Sequence, residues 1–180
     1  MVSAATAYDA KGLMKTAIRD NDPVMFMEST LLYGEKGEVP DEEYLIPLGK
    51  ADIKREGTDV SIIGHGRAIL MGLKAAEFLQ AEHDISCEVI DLRSIRPLDE
   101  KAILDSVRKT HRVVLVDENK PFCGVSAQIA ATIQEKCFDD LDAPVQRVTS
   151  LDAPAFYSPK IEKLQFPETH RIIAKVLAIS

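Results

Sequence analysis

The apolar positions of this chain change period several times along its length. Asp59-Val-Ser-Ile-Ile-Gly64 is a short β-branched run, and beyond a small-residue stretch Ile69, Leu70, Leu73, Ala76, Phe78 and Leu79 recur at helical spacing. This predicts strand, glycine turn, helix. The pattern returns with Cys87-Glu-Val-Ile-Asp-Leu92 as a strand and a helix from about Asp99 through Val107. It returns again with Arg112-Val-Val-Leu-Val-Asp117, a loop bearing Pro and Gly, and a helix over Val125 to Lys136. Val145 to Thr149 reads as a further strand, and Glu168 to Ala178 as a closing helix with Ile172, Ile173, Val176 and Leu177 on its inner face. Strands alternating with helices of this length predict an α/β fold: a three-layer αβα arrangement whose middle layer is a mostly parallel sheet of about five strands, joined by right-handed crossovers.

The first 45 residues break that rhythm. Tyr8 to Ile18 has helical spacing, with Ala10, Leu13, Met14 and Ile18 apolar, and Val24-Met-Phe-Met-Glu28 reads as a buried strand. The acidic stretch from Leu32 to Tyr44, broken by Pro40, reads as a linker. One helix and one strand do not close a core by themselves. The expected organisation is therefore residues 1–30 as the tail of a separate unit whose front half is absent, 31–45 as linker, and 46–180 as the main domain.

Composition narrows the function. At 180 residues and 46% hydrophobic, the chain is long enough to bury a proper core. A net charge of -7 argues against nucleic acid and anionic membrane, because phosphate binding needs clustered Lys and Arg; a basic partner fits better. Cys87, Cys123 and Cys137 are odd in number and widely spaced, without zinc-ligand spacing, which suits a reduced compartment such as the cytoplasm. No apolar run approaches the roughly 20 residues that span a bilayer, and the first residues lack the regions of a signal peptide.

Several motifs carry chemistry on more than one reading. Arg93 and Arg96 follow a buried strand, where they could grip an anion at the carboxyl edge of the sheet or pair with acidic groups at an interface. Gly64-His65-Gly66-Arg67 lacks phosphate-loop spacing and reads as a tight turn, with His65 a proton carrier by type and an interface histidine by context. Cys123 precedes a helix but has no base beside it, so it reads as a packing residue. Asp139, Asp140 and Asp142 form an acidic patch before the last strand. The tetrapeptide Leu-Asp-Ala-Pro occurs at 141–144 and again at 151–154, too close for a structural repeat, and reads as shared loop vocabulary.

The stretches "DAKGLMKTAIRDNDPVMFMEST", "IPLGKADIKREGTDVSII", "CEVIDLRSIRPLDEKAILDSVRKT" and "FDDLDAPVQRV" resemble, in order, the β subunit of the thiamine diphosphate-dependent decarboxylase component of 2-oxoacid dehydrogenase complexes, the pyruvate enzymes most of all. The resemblance implies a main domain of the transketolase C-terminal type, preceded by a helix and strand left from a pyrimidine-binding domain. It implies a potassium site at Ala17, Ile18, Asp20 and Asp22, and docking through Asp142 and the terminal carboxylate of Ser180 onto the basic subunit-binding domain of the acyltransferase core. It also implies an α subunit or α-like domain and a second β subunit as partners. Thiamine diphosphate and magnesium belong to the full complex, and the family's catalytic glutamate and histidine precede residue 1. The chain alone is then expected to be inactive, located in the cytoplasm or, in a eukaryote, the mitochondrial matrix.

Two alternatives stand beside this reading. One is a stand-alone flavodoxin-like module that binds a small anion at Arg93 and Arg96. The other, within the same class, is a branched-chain 2-oxoacid or acetoin dehydrogenase β subunit.

Overall fold

A computed structural model describes residues 1–180, the side chain of Pro159 excepted. The main sheet has five strands: β3 (Asp52–Arg55), β4 (Val60–Gly64), β5 (Cys87–Asp91), β6 (Val113–Asp117) and β7 (Gln146–Thr149), in the order β3-β5-β4-β6-β7. Four of them are parallel, and β3 joins the β5 edge antiparallel. The three central strands are buried along their whole length, as sheets covered on both faces require. α2 (Arg67–His83) and α6 (Thr169–Leu177) cover one face over Ile62, Val89, Val114 and Val148; α3 (Glu100–Thr110) and α4 (Val125–Cys137) cover the other over Ile63, Ile90 and Leu115. This is the three-layer α/β fold with a mostly parallel sheet.

Local chemistry sets the helix ends. α2 buries Ala68, Ile69, Met71, Gly72, Ala75, Ala76 and Leu79 on one stripe and stops at Asp84, whose left-handed backbone turns its N–H onto the Leu79 carbonyl. Gly72 is the close approach: a Cβ there would meet Ile62 Cγ2 at 3.1 Å. The Asp99 side chain accepts the Ala102 N–H at the start of α3 (3.3 Å), so the helix begins at Glu100, three residues beyond Pro97. His111 ends it in left-handed backbone.

The chain's opening residues form a small unit. α1 (Ala7–Arg19) packs on a two-stranded parallel sheet of β1 (Val2–Ser3) and β2 (Phe26–Met27), and β2 is shorter than the strand expected over 24–28. Leu13, Val2 and Ile46 make a minor core, joined by Tyr44, which stacks on Tyr8 with ring centroids 4.4 Å apart. After a short 3-10 turn at Thr30–Leu32 the chain runs without regular structure to β3, and Lys11 holds it by donating to the backbone carbonyls of residues 40–42. A short helix, α5 (Pro159–Gln165), precedes α6. The sequence pattern marked none of β1, β3 or α5.

Candidate functional site

In open α/β sheets ligands bind beyond the carboxyl ends of the strands, where neighbouring connections leave for opposite faces. Here that point lies between β4, whose connection runs to α2, and β6, whose connection runs to α4. His65 follows β4 and faces Asp117 at the end of β6, with Nε2 3.8 Å from Oδ1. Burial pushes the imidazole below its ordinary value, and the negative charges of Asp117 and Glu118 only partly oppose this. Asp117 also accepts the N–H groups of Asn119 and Ser126, both at 3.0 Å, which fixes the start of α4. Arg67 donates through Nε to Glu118 at 2.7 Å and lies over the Phe166 ring, 5.5 Å from its centroid.

The crevice itself is filled by the chain's own opening. Ser3 Oγ lies 3.3 Å from His65 Nδ1 and 2.9 Å from the point where a Cβ on Gly66 would sit, and Gly66 has φ +57°. About 10 Å³ remains between β4, β6 and α4, room for one water at most. The Gly64-to-Arg67 turn therefore presents no open cradle for a phosphate. A wider cleft of about 1120 Å³ opens beside it, between residues 28–31, Arg67, Met71 and residues 162–173. Its Arg67 is engaged with Glu118, and its His170 lies 3.4 Å from Glu168.

Arg93 and Arg96 are not brought together. Arg93 is buried and bridges α1 and β3: its Nε donates to Asp9 Oδ1 at 2.7 Å and its Nη2 to Asp52 Oδ2 at 2.8 Å. Lys54 reaches both carboxylates at 2.7 Å, and Thr6 Oγ1 donates to Asp9 at 2.5 Å. Burial alone would raise the Asp9 carboxyl, but the Lys54 and Thr6 hydrogen bonds with the Lys54 and Arg93 charges hold it below its ordinary value. Asp91 lies behind the group and is pushed up to about 7 by burial. Arg96 is exposed, and its carbonyl accepts the Met1 ammonium at 2.7 Å.

The other sequence-selected residues sit at the surface. Ala17 is half-buried in the last turn of α1 and Ile18 exposed; Asp20 is the C-cap, and its Oδ1 accepts the Asp22 N–H at 2.9 Å. Asp142 is half-exposed, 3.4 Å from Arg112 Nη2, with Asp140 3.5 Å from Arg108. Ser180 is exposed at the end of α6, and Cys123 is exposed with φ +54°. Among the described residues no group of three or more His, Cys, Asp or Glu side chains is placed to hold a metal ion. The pattern reading missed Asp9, Asp52, Lys54 and Asp91. The spacing Thr6-x-x-Asp9, a helix-start signature, and Asp52 and Lys54 two apart on one strand face were the available signals.

What emerges is an α/β domain whose switch-point crevice is filled by its own first strand and whose buried Arg93 is held by Asp9 and Asp52. Residues 49–172 match the family model described as "Transketolase, C-terminal domain", and the chain belongs to that family. It is 46% identical over 178 residues to the acetoin:2,6-dichlorophenolindophenol oxidoreductase subunit beta of Bacillus subtilis, covering 99% of this chain and 52% of that protein. It is 48% identical over 176 residues to the mitochondrial pyruvate dehydrogenase E1 component subunit beta of Saccharomyces cerevisiae (95% and 48%). A third relative, the 2-oxoisovalerate dehydrogenase subunit beta of Bacillus subtilis, is 46% identical over 165 residues (91% and 50%). The chain thus spans about half the length of the curated relatives it matches. Among solved structures, one described as a split gene transketolase, inactive beta4 tetramer, superposes with a TM-score of 0.80 at 25% identity, covering 99% of this chain and 56% of that one. No helix among the described residues is long and apolar enough to cross a membrane.

Proposed function

We propose that this chain serves as the C-terminal domain of a β subunit in the decarboxylase component of a 2-oxoacid dehydrogenase complex, acting on pyruvate, and that its part is assembly and docking. The observation that carries this is the match to the yeast pyruvate dehydrogenase E1 component subunit beta at 48% identity over 95% of the chain. Partners in the reading are an α subunit or α-like domain, a second β subunit and the subunit-binding domain of the acyltransferase core. Thiamine diphosphate, held with magnesium by the assembled enzyme, supplies the carbanion and electron sink of the decarboxylation. This chain's own residues do other work. Asp142 and the carboxylate of Ser180 offer negative charge to the basic docking domain, which sets encounter rate and partner choice. The carbonyls of Ala17 and Ile18, left free at a helix end, and the carboxylates of Asp20 and Asp22 are donors suited to potassium.

The acetoin relative matches 99% of the chain, which supports an acetoin dehydrogenase as the alternative within the class. The flavodoxin-like module loses support because Ser3 fills its crevice and Arg93 is held by Asp9 and Asp52. The test is a chimera in which this sequence replaces the matching half of the yeast pyruvate dehydrogenase β subunit, assembled with its α subunit. Retained decarboxylation of pyruvate supports the reading, and an unassembled chimera overturns it.

A further inference from the structure

Asp52 and Asp91 are direct partners across the antiparallel β3–β5 pair, where like charges repel. With Asp9 they make three carboxylates against two cations, Lys54 and Arg93. The cations satisfy Asp9 and Asp52: Lys54 reaches both, and Arg93 reaches both. Asp91 receives only the Arg93 backbone N–H on Oδ1 (3.0 Å), and its Oδ2 is buried with no hydrogen-bond partner among the described residues. On its other side β4 places Gly64 opposite it, which brings no charge. The groups facing Asp91 are thus Asp9 on α1, Asp52 and Lys54 on β3, and Arg93 beyond β5. Ionised, the cluster carries one unmatched negative charge in a buried seam; with one proton it is neutral.

We propose that this cluster is a proton-operated latch between the opening unit and the sheet domain: uptake of one proton at Asp91 tightens α1 onto the sheet, and its release loosens that seam. α1 joins the cluster through Asp9, so lifting α1 takes Asp9 away from Arg93 and Lys54 and leaves those cations to Asp52 and Asp91. The latch does not depend on which partner or substrate the assembled enzyme has.

The direction follows from burial, which raises the Asp91 carboxyl from 3.8 to about 7, the charge of Asp9 adding to this and the Arg93 N–H with Lys54 opposing it. The folded state disfavours the ionised form. The penalty is therefore absent below the unfolded value, grows as pH rises, and is complete above about 7. If opening returns Asp91 to its ordinary value, the opening equilibrium of α1 grows roughly tenfold from pH 6 to pH 8.

The experiment is hydrogen exchange on the full chain at pH 6, 7 and 8, expressed as protection factors to remove the intrinsic effect of pH, with α4 as reference. The latch predicts a fall of about tenfold in α1 protection from pH 6 to 8 relative to α4. In Asp91→Asn, which fixes the neutral state, α1 protection stays level. A level profile in the parent, or the parent's slope in Asp91→Asn, overturns the proposal. Should Asp91→Asn not fold, carbon-13 titration of the Asp91 carboxyl in the parent decides: a midpoint near neutrality supports the latch, and one below about 5 overturns it.

Discussion

Arg93 shows how much one side chain holds at the seam. Its guanidinium forks onto Asp9 and Asp52, and removing a buried partner leaves charges that the fold must still desolvate. Arg93→Met is expected to lower stability by about 3–5 kcal/mol in urea denaturation at neutral pH. Arg93→Lys should fall between the two, because a point charge does not reproduce the planar fork. Gly57 is a second such residue for a steric reason. A Cβ there would lie 2.2 Å from both the Cys87 carbonyl carbon and the Glu88 nitrogen, and backbone does not yield as a side chain does. Gly57→Ala should cost about 3 kcal/mol, at the upper end for overpacking, read as a drop in melting temperature.

Among the elements, capping and burial decide what holds. Asp99 accepts the Ala102 N–H with one oxygen and the Ala51 N–H with the other (3.2 Å), so it starts α3 and ties down the approach to β3. Asp99→Ala is expected to cost about 1 kcal/mol for the cap alone, measured by denaturant unfolding, and more if the Ala51 bond adds to it. The same elements show why parts of the fold were legible. β4, β5 and β6 announced themselves as β-branched runs, since central parallel strands are covered on both faces, whereas the edge strand β7 buries only Val148 and Thr149 fully. β3 did not, because Asp52-Ile-Lys-Arg55 is an edge strand whose polar side chains pair with Asp9 and Arg93 instead of filling the core. β1 spans two residues, below any period. The opening helix and strand close their small core only with help from elsewhere, Tyr44 from the linker and Ile46 just past it.

Across the whole molecule, the α/β class and layer order followed from period alone, whereas the ionic seam did not. Asp9, Asp52, Asp91 and Arg93 stand up to 84 residues apart, and only the tertiary fold juxtaposes them. The two Leu-Asp-Ala-Pro copies make the same point. Leu141 packs into the core beside α3 and α4, while Leu151 stays partly exposed where Ala153 N–H turns back onto its carbonyl at 2.9 Å. One tetrapeptide meets two environments. The assembly reading makes a further prediction at this scale: rising salt should weaken docking to a basic partner, since Asp142 is half-exposed and its charge is screened.

Docking is the central claim, and calorimetric titration of the chain with the subunit-binding domain of the acyltransferase core tests it most directly. The account predicts saturable binding by the parent and weaker binding by Asp142→Ala, by about 2–5 kcal/mol where the docked partner buries the contact. Absence of binding by the parent, or equal affinity for parent and variant, would contradict it.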